Sequence, residues 1–156
     1  MPDSFDSSAN LFLIGYRGSG KSAVAEILAR ELGRPWTDAD ALLEVRQGRT
    51  IAEIFAEDGE AGFRQIEAEL LEELCRCKQH IVATGGGVIL RAANRDRLIG
   101  RGDVARKVQV TAGREAARGH DVARRVLGHR ARVGKARRAA GGPAVVDVEG
   151  RASQRR

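Results

Sequence analysis

Gly15-Tyr16-Arg17-Gly18-Ser19-Gly20-Lys21-Ser22 directly follows the apolar run Leu11-Phe12-Leu13-Ile14, and this junction decides the fold. The segment satisfies the pattern G-x-x-x-x-G-K-[ST] in full. The apolar run, closed by a glycine, reads as a buried parallel strand. Val24, Ile27, Leu28 and Leu32 then recur at helical spacing up to Gly33, which is placed to stop a helix. The pattern thus sits between a strand and a helix, where its mechanism requires it. Glycines at 15, 18 and 20 let backbone N–H groups turn inward around phosphate oxygens at the positive end of that helix. Lys21 is expected to reach the β/γ-phosphates, and the Ser22 hydroxyl to hold Mg²⁺. The expected nucleotide-contacting set is Gly15, Gly18, Ser19, Gly20, Lys21, Ser22 and Ala23. A glycine-rich turn that meets the pattern by chance would lack these flanking elements.

Outward from the loop, Pro35-Trp36-Thr37 reads as a second strand that delivers Asp38-Ala39-Asp40 at its C-terminal end. Ligands of open α/β sheets bind beyond those ends. Strand alternation would aim two carboxylates, two residues apart, at one cavity. One near a metal and one near an acceptor hydroxyl would suit phosphoryl transfer. The plainer reading is an N-cap for a helix over Ala41 to Arg46, a role Asp40 could combine with a ligand contact. Thr50-Ile51-Ala52-Glu53 fits a capping box that opens a short helix, and Asp58-Gly59 breaks it. A longer helix is expected from Glu60 to Arg76, with Phe63, Ile66, Leu70 and Leu74 on one face. Arg64 and Glu67 are neighbours beside that stripe, which by itself describes a solvated ion pair.

Ile81-Val82-Ala83 reads as a third strand, and Thr84-Gly85-Gly86-Gly87 follows it at once. Glycines at a strand end expose backbone N–H groups and permit close approach of a ligand, although a flexible turn would also use them. A helix from Ala92 to Ile99 and a strand start at Asp103-Val104 continue the alternation. The order predicts a parallel sheet covered by helices.

Charge divides the chain. Residues 1–104 hold 13 Lys and Arg against 17 Asp and Glu, a net of −4; residues 105–156 hold 14 against 4, a net of +10. All six aromatic residues precede position 105, and Leu127 is the one Leu, Ile or Phe beyond it. The basic tail invites a nucleic-acid partner, but it has no aromatics for stacking and no recognisable nucleic-acid module. Cys75 and Cys77 are expected as free thiols in a predicted helix, in keeping with a reducing, cytoplasmic setting. No basic signal-type stretch is visible near Met1, and no apolar run is long enough to span a membrane.

Taken together, Gly15–Ser22, Asp38-Ala39-Asp40, Gly62-Phe63-Arg64-Gln65-Ile66-Glu67 and Gly85-Gly86-Gly87 resemble, in order and spacing, the motifs of the shikimate kinase family. The likeness covers residues 10 to 104 of what is expected to be a single domain, 1–156. It implies an α/β, three-layer P-loop kinase fold with a central parallel sheet of about five strands. It also implies an ATP-dependent phosphotransferase of aromatic amino-acid biosynthesis, acting on the 3-hydroxyl of shikimate. Under this resemblance Lys21 and Asp38 are catalytic, and Ser22 and Asp38 lie at Mg²⁺. Asp40, Arg64, Gly85, Gly86 and Gly87 bind shikimate, Arg64 by its carboxylate. Glu67 orients Arg64. A monomer without a membrane or nucleic-acid partner is expected.

Beyond Val104 the family pattern breaks. Ala105 to Val110 reads as a poor core strand because Arg106 and Lys107 interrupt it, and no R-P-L stretch appears. The lid arginine and a second carboxylate-binding arginine have no matched positions, although Arg124, Arg125, Arg130 and Arg132 lie nearby. Residues 105–143 fit either a natural basic extension or a disturbed reading frame; most of 111–143 is expected to pack loosely or be disordered, with shikimate phosphorylation weak or absent. Residues 144–151 again resemble the family's last strand. Two other functions stay open: a P-loop kinase acting on a gluconate-like acceptor, and a nucleotide-binding remnant without turnover.

Overall fold

The computed structural model describes residues 9–106 and 145–147. The chain order is β1 (Asn10–Leu13), α1 (Lys21–Leu32), β2 (Trp36–Asp38), α2 (Ala39–Gln47), α3 (Ile51–Leu74), β3 (Ile81–Ala83), a 3-10 turn (Val88–Leu90), α4 (Ala92–Arg101), β4 (Gly102–Arg106) and β5 (Val145–Asp147). The strands form one sheet in the order β2-β3-β1-β4-β5, and every recorded pairing is parallel.

Alternation along β1 and β3 divides the core into two layers. Leu11 and Leu13, with Ile81 and Ala83, pack against Val24, Ala25 and Leu28 of α1. Phe12 and Ile14, with Val82, face Leu43, Ile54, Phe63 and Leu70 of α2 and α3, and Leu98 of α4. Helices therefore cover both faces, which is why Leu11–Ile14 is apolar throughout rather than alternating. Phe12 is fully buried, so Phe12→Ala would cost about 3–5 kcal/mol. At the opposite end of the sheet, Asn10 is 1% exposed; its Nδ2 donates to Cys77 O and its Oδ1 accepts from His80 N.

The helix boundaries follow local chemistry. Thr50 and Glu53 form the expected capping box. Gly59 interrupts α3 with φ 71° and ψ −179°, a conformation open to glycine and costly for other residues. Sequence placed the break correctly, but one expectation needs correction. The helix after it ends at Leu74, so Cys75 is its cap and Cys77 lies outside; both are free thiols. The strand start expected at Asp103-Val104 is present in β4, whose backbone pairing with β5 runs through Arg106, opposite Asp147. The recovered Val145-Val146-Asp147 is thus an edge strand. Lys107 to Val110 and the arginines at 124, 125, 130 and 132 lie outside the described residues, as does the expected loose segment 111–143. Among the described residues no helix is long and apolar enough to cross a membrane.

Candidate active site

The sheet order creates the site. From β1 the chain moves to β2 and β3 on one side and then crosses to β4 on the other. The crevice beyond the C-terminal ends at such a reversal is where α/β sheets bind ligands. Three adjacent ends meet there: the loop after β1, Asp38 at the end of β2, and Thr84–Gly87 after β3.

Gly20 caps α1 with φ 85°, which turns the loop into the helix and leaves the first N–H groups of α1 pointing out of its N-terminus. Lys21 is buried, and its Nζ donates to Gly15 O at 2.9 Å and Tyr16 O at 2.7 Å, with Ser19 Oγ at 3.4 Å. The ammonium thus sits inside the concavity of its own loop. Burial lowers its pKa, while the carboxylates of Asp40 and Asp38 oppose that shift.

Ser22 Oγ donates to Asp38 Oδ2 in a close contact. This joins the loop to β2 and sets two oxygen atoms side by side. Among the described residues no cluster of three acidic, His or Cys side chains forms a protein-only metal cage. A hydroxyl and one carboxylate next to a phosphate cradle is the donor set Mg²⁺ accepts when phosphates and water complete its shell.

The expectation for the Asp-x-Asp pair needs correction in its mechanism. Asp38, not Asp40, caps α2: its Oδ1 accepts from Ala41 N at 3.1 Å. Asp40 lies in the first helical turn, so strand alternation does not aim the pair. The cap does, by starting the helix immediately and keeping both carboxylates at one strand end. Burial, then the neighbouring Asp38 charge, raises the Asp40 pKa; Lys21 and Arg17 oppose the rise. Sequence reasoning missed Arg17 as a charge neighbour, because it occupies an unspecified position of the loop pattern.

Arg64 and Glu67 are not a solvated surface pair. Their side chains are 16% and 7% exposed, and Arg64 Nη1 donates to Glu67 Oε2 at 2.9 Å. The guanidinium lies 5.1 Å from the Phe63 ring centroid and covers Gly87 so closely that a methyl group there would sit 2.4 Å from both Nη atoms. Glu67 Oε1 is buried without a hydrogen-bond partner among the described residues. Burial, helped by the Asp40 charge, raises the Glu67 pKa, and the pairing with Arg64 opposes the rise. Glu67 and Asp40 converge on Gly85, where a methyl group would lie 2.6 Å from Asp40 Oδ1 and 3.0 Å from Glu67 Oε1.

Two further residues hold the glycine turn. Thr84 is buried, and its N and Oγ1 both donate to Leu13 O, at 3.0 and 2.9 Å. Asn94, 1% exposed, donates from Nδ2 to Val88 O at 3.1 Å. A threonine before glycines was a signal that could have been read. Asn94 offered none, since its partner is a carbonyl brought near by tertiary packing.

The family model for shikimate kinase matches residues 17–125, more than two-thirds of the chain. The chain belongs to the shikimate kinase family. This match runs past Val104, where the sequence resemblance broke off. A shikimate kinase of Synechococcus elongatus is 52% identical over 85 residues, covering 54% of this chain and 45% of that protein. One of Symbiobacterium thermophilum is 49% identical over 89 residues, covering 57% and 51%. The chain thus spans about half the length of the curated relatives it matches. Among solved structures, a shikimate kinase from Acinetobacter baumannii in complex with shikimate aligns with TM-score 0.69 and 32% identity, over 97% of this chain and 88% of that one. The Bacteroides thetaiotaomicron shikimate kinase aligns at TM-score 0.64 and 26% identity, over 90% and 86%. The P-loop kinase fold of the shikimate kinase family is therefore the fold of this chain.

Proposed function

We propose that this chain transfers the γ-phosphoryl group of ATP to the 3-hydroxyl of shikimate. The observation that carries the reading is the half-buried Arg64 fork, pinned by Glu67 against Gly87. A planar guanidinium held in that way is suited to a carboxylate, which it can grip through two parallel N–H bonds. The ring hydroxyls would then meet Asp40 and the amides of Gly85, Gly86 and Gly87. Backbone N–H groups from Gly15 to Ala23 and the Lys21 ammonium would hold the ATP phosphates. Ser22 and Asp38 would hold Mg²⁺, which supplies charge neutralisation at the phosphates. The acceptor oxygen attacks the γ-phosphorus, the bond to the ADP oxygen breaks, and Asp38 takes the hydroxyl proton.

The same reading makes the protein a cytoplasmic monomer built as one domain, with no nucleic-acid partner. A reducing setting suits Cys75, whose thiol burial pushes up to about 11 and thereby holds in the unreactive form. The test is ADP release from Mg²⁺-ATP with and without shikimate, alongside nucleotide binding measured separately. Shikimate-dependent release is expected. Nucleotide binding without turnover on shikimate would overturn the acceptor and leave a nucleotide-binding chain.

A further inference from the structure

Gly85, Gly86 and Gly87 form a single sequence motif, yet each touches a different part of the site. A methyl group on Gly85 would meet Asp40 and Glu67, and one on Gly87 would meet the Arg64 guanidinium. On Gly86 it would meet neither. Its nearest atoms would be Arg17 N at 3.2 Å, Gly15 O at 3.7 Å and Tyr16 C at 3.8 Å, all backbone of the phosphate loop.

We infer that Gly86 is a positioning residue for the nucleotide: the bare Cα face of the acceptor turn is the surface on which the phosphate loop rests, and it fixes the gap between phosphate donor and acceptor. This rests on the proposed kinase reading for its catalytic consequence, but not for its effect on nucleotide binding.

Three observations support it. Gly86 does not have a positive φ, so an alanine there suffers no backbone strain of its own and acts through the contact alone. The atoms it would press on are backbone, which cannot swing aside as a side-chain terminus can, so the loop itself must give by a few tenths of an ångström. The turn cannot retreat either. Thr84 ties its start to Leu13 O at the end of β1, and Asn94 ties Val88 at its exit. With the turn held at both ends, displacement falls on Gly15–Arg17.

The experiment compares Gly86→Ala and Gly87→Ala in the full chain. Mg²⁺-ADP affinity is measured by calorimetry, and KM for ATP and for shikimate by coupled assay. About 1 Å of misplacement costs on the order of a hundred-fold, so a few tenths should cost roughly three- to ten-fold. Gly86→Ala is expected to weaken Mg²⁺-ADP and raise KM for ATP by that factor, and to change KM for shikimate, whose hydroxyls its own amide is proposed to meet, by less. Gly87→Ala is expected to do the reverse. Equal effects of both variants on both ligands, or unchanged Mg²⁺-ADP affinity in Gly86→Ala, would overturn the inference. Should Gly86→Ala fold poorly, amide exchange across Gly15–Ser22 in Gly86→Ser provides the second readout. Faster exchange in the loop alone supports the contact, and uniformly faster exchange rejects it. If shikimate is not the acceptor, both shikimate readings fail while the Mg²⁺-ADP comparison still decides the role of Gly86.

Discussion

The proposed phosphate side of the site is drawn from one stretch, Gly15 to Ala23, whereas the proposed acceptor side takes Asp40 from α2, Arg64 and Glu67 from α3, and Gly85–Gly87 from the turn after β3. In the loop, residues adjacent in sequence are adjacent in space, and Lys21 finds its partners no more than six positions away. On the acceptor side, Gly87 lies under a guanidinium from 23 residues earlier. A local motif keeps its geometry from backbone conformation and a helix end. An assembled pocket keeps it only as long as the packing of several elements holds.

The sharpest way to break this contrast is Lys21→Ala. Removing a preorganised cation from developing phosphate charge should cost about 10²–10³-fold in transfer rate, while folding is little changed. Equal ATP affinity and turnover in parent and variant would remove the phosphate-loop assignment. Arg64→Lys probes the assembled side. It retains charge and loses the fork, so KM for shikimate should rise on the order of ten-fold, the equivalent of one charged hydrogen bond, with Mg²⁺-ADP affinity unchanged. Unaltered shikimate kinetics would return Arg64 to a structural ion pair.

The smallest effect is a pH dependence, and it sharpens the comparison energetically. Asp40 and Glu67 have raised pKa values in the folded chain, chiefly through burial. The folded state therefore binds more protons than the unfolded state just above the ordinary carboxylate range. The stability this contributes is fully present below that range and is lost as pH rises through the raised values. Glu53, Asp58 and Glu73 have lowered values from surface hydrogen bonds and act in the opposite direction, losing stability as pH falls. Glu67→Gln should thus flatten only the decline on the rising-pH side, read as the difference in thermal midpoint between variant and parent. A difference that is constant with pH would show that Glu67 titrates normally.

Much of the site was legible because short-range rules wrote it. The strand, loop and helix from Leu11 to Leu32, the Thr50–Glu53 capping box and the break at Gly59 all depend on neighbours within a few residues. The Asp38 cap was misassigned to Asp40 because one residue of strand length decides it, and periodicity does not fix strand ends. The Arg64–Glu67 pair looked solvated because an i, i+3 spacing states proximity but not burial. Its enclosure depends on Phe63 and the glycine turn, whose Gly87 lies directly against the Arg64 guanidinium.

Sequence by itself determined the phosphate loop, the alternation of strands and helices, and the family, since each is a pattern of backbone preference and hydrophobic period along a contiguous chain. Tertiary structure decided the strand order β2-β3-β1-β4-β5, the burial of Glu67 with Arg64 half-buried beside it, and the separate contact of each glycine from 85 to 87. Those depend on which surfaces are brought within a few ångströms by packing of both sheet faces. No spacing rule along the chain encodes that distance.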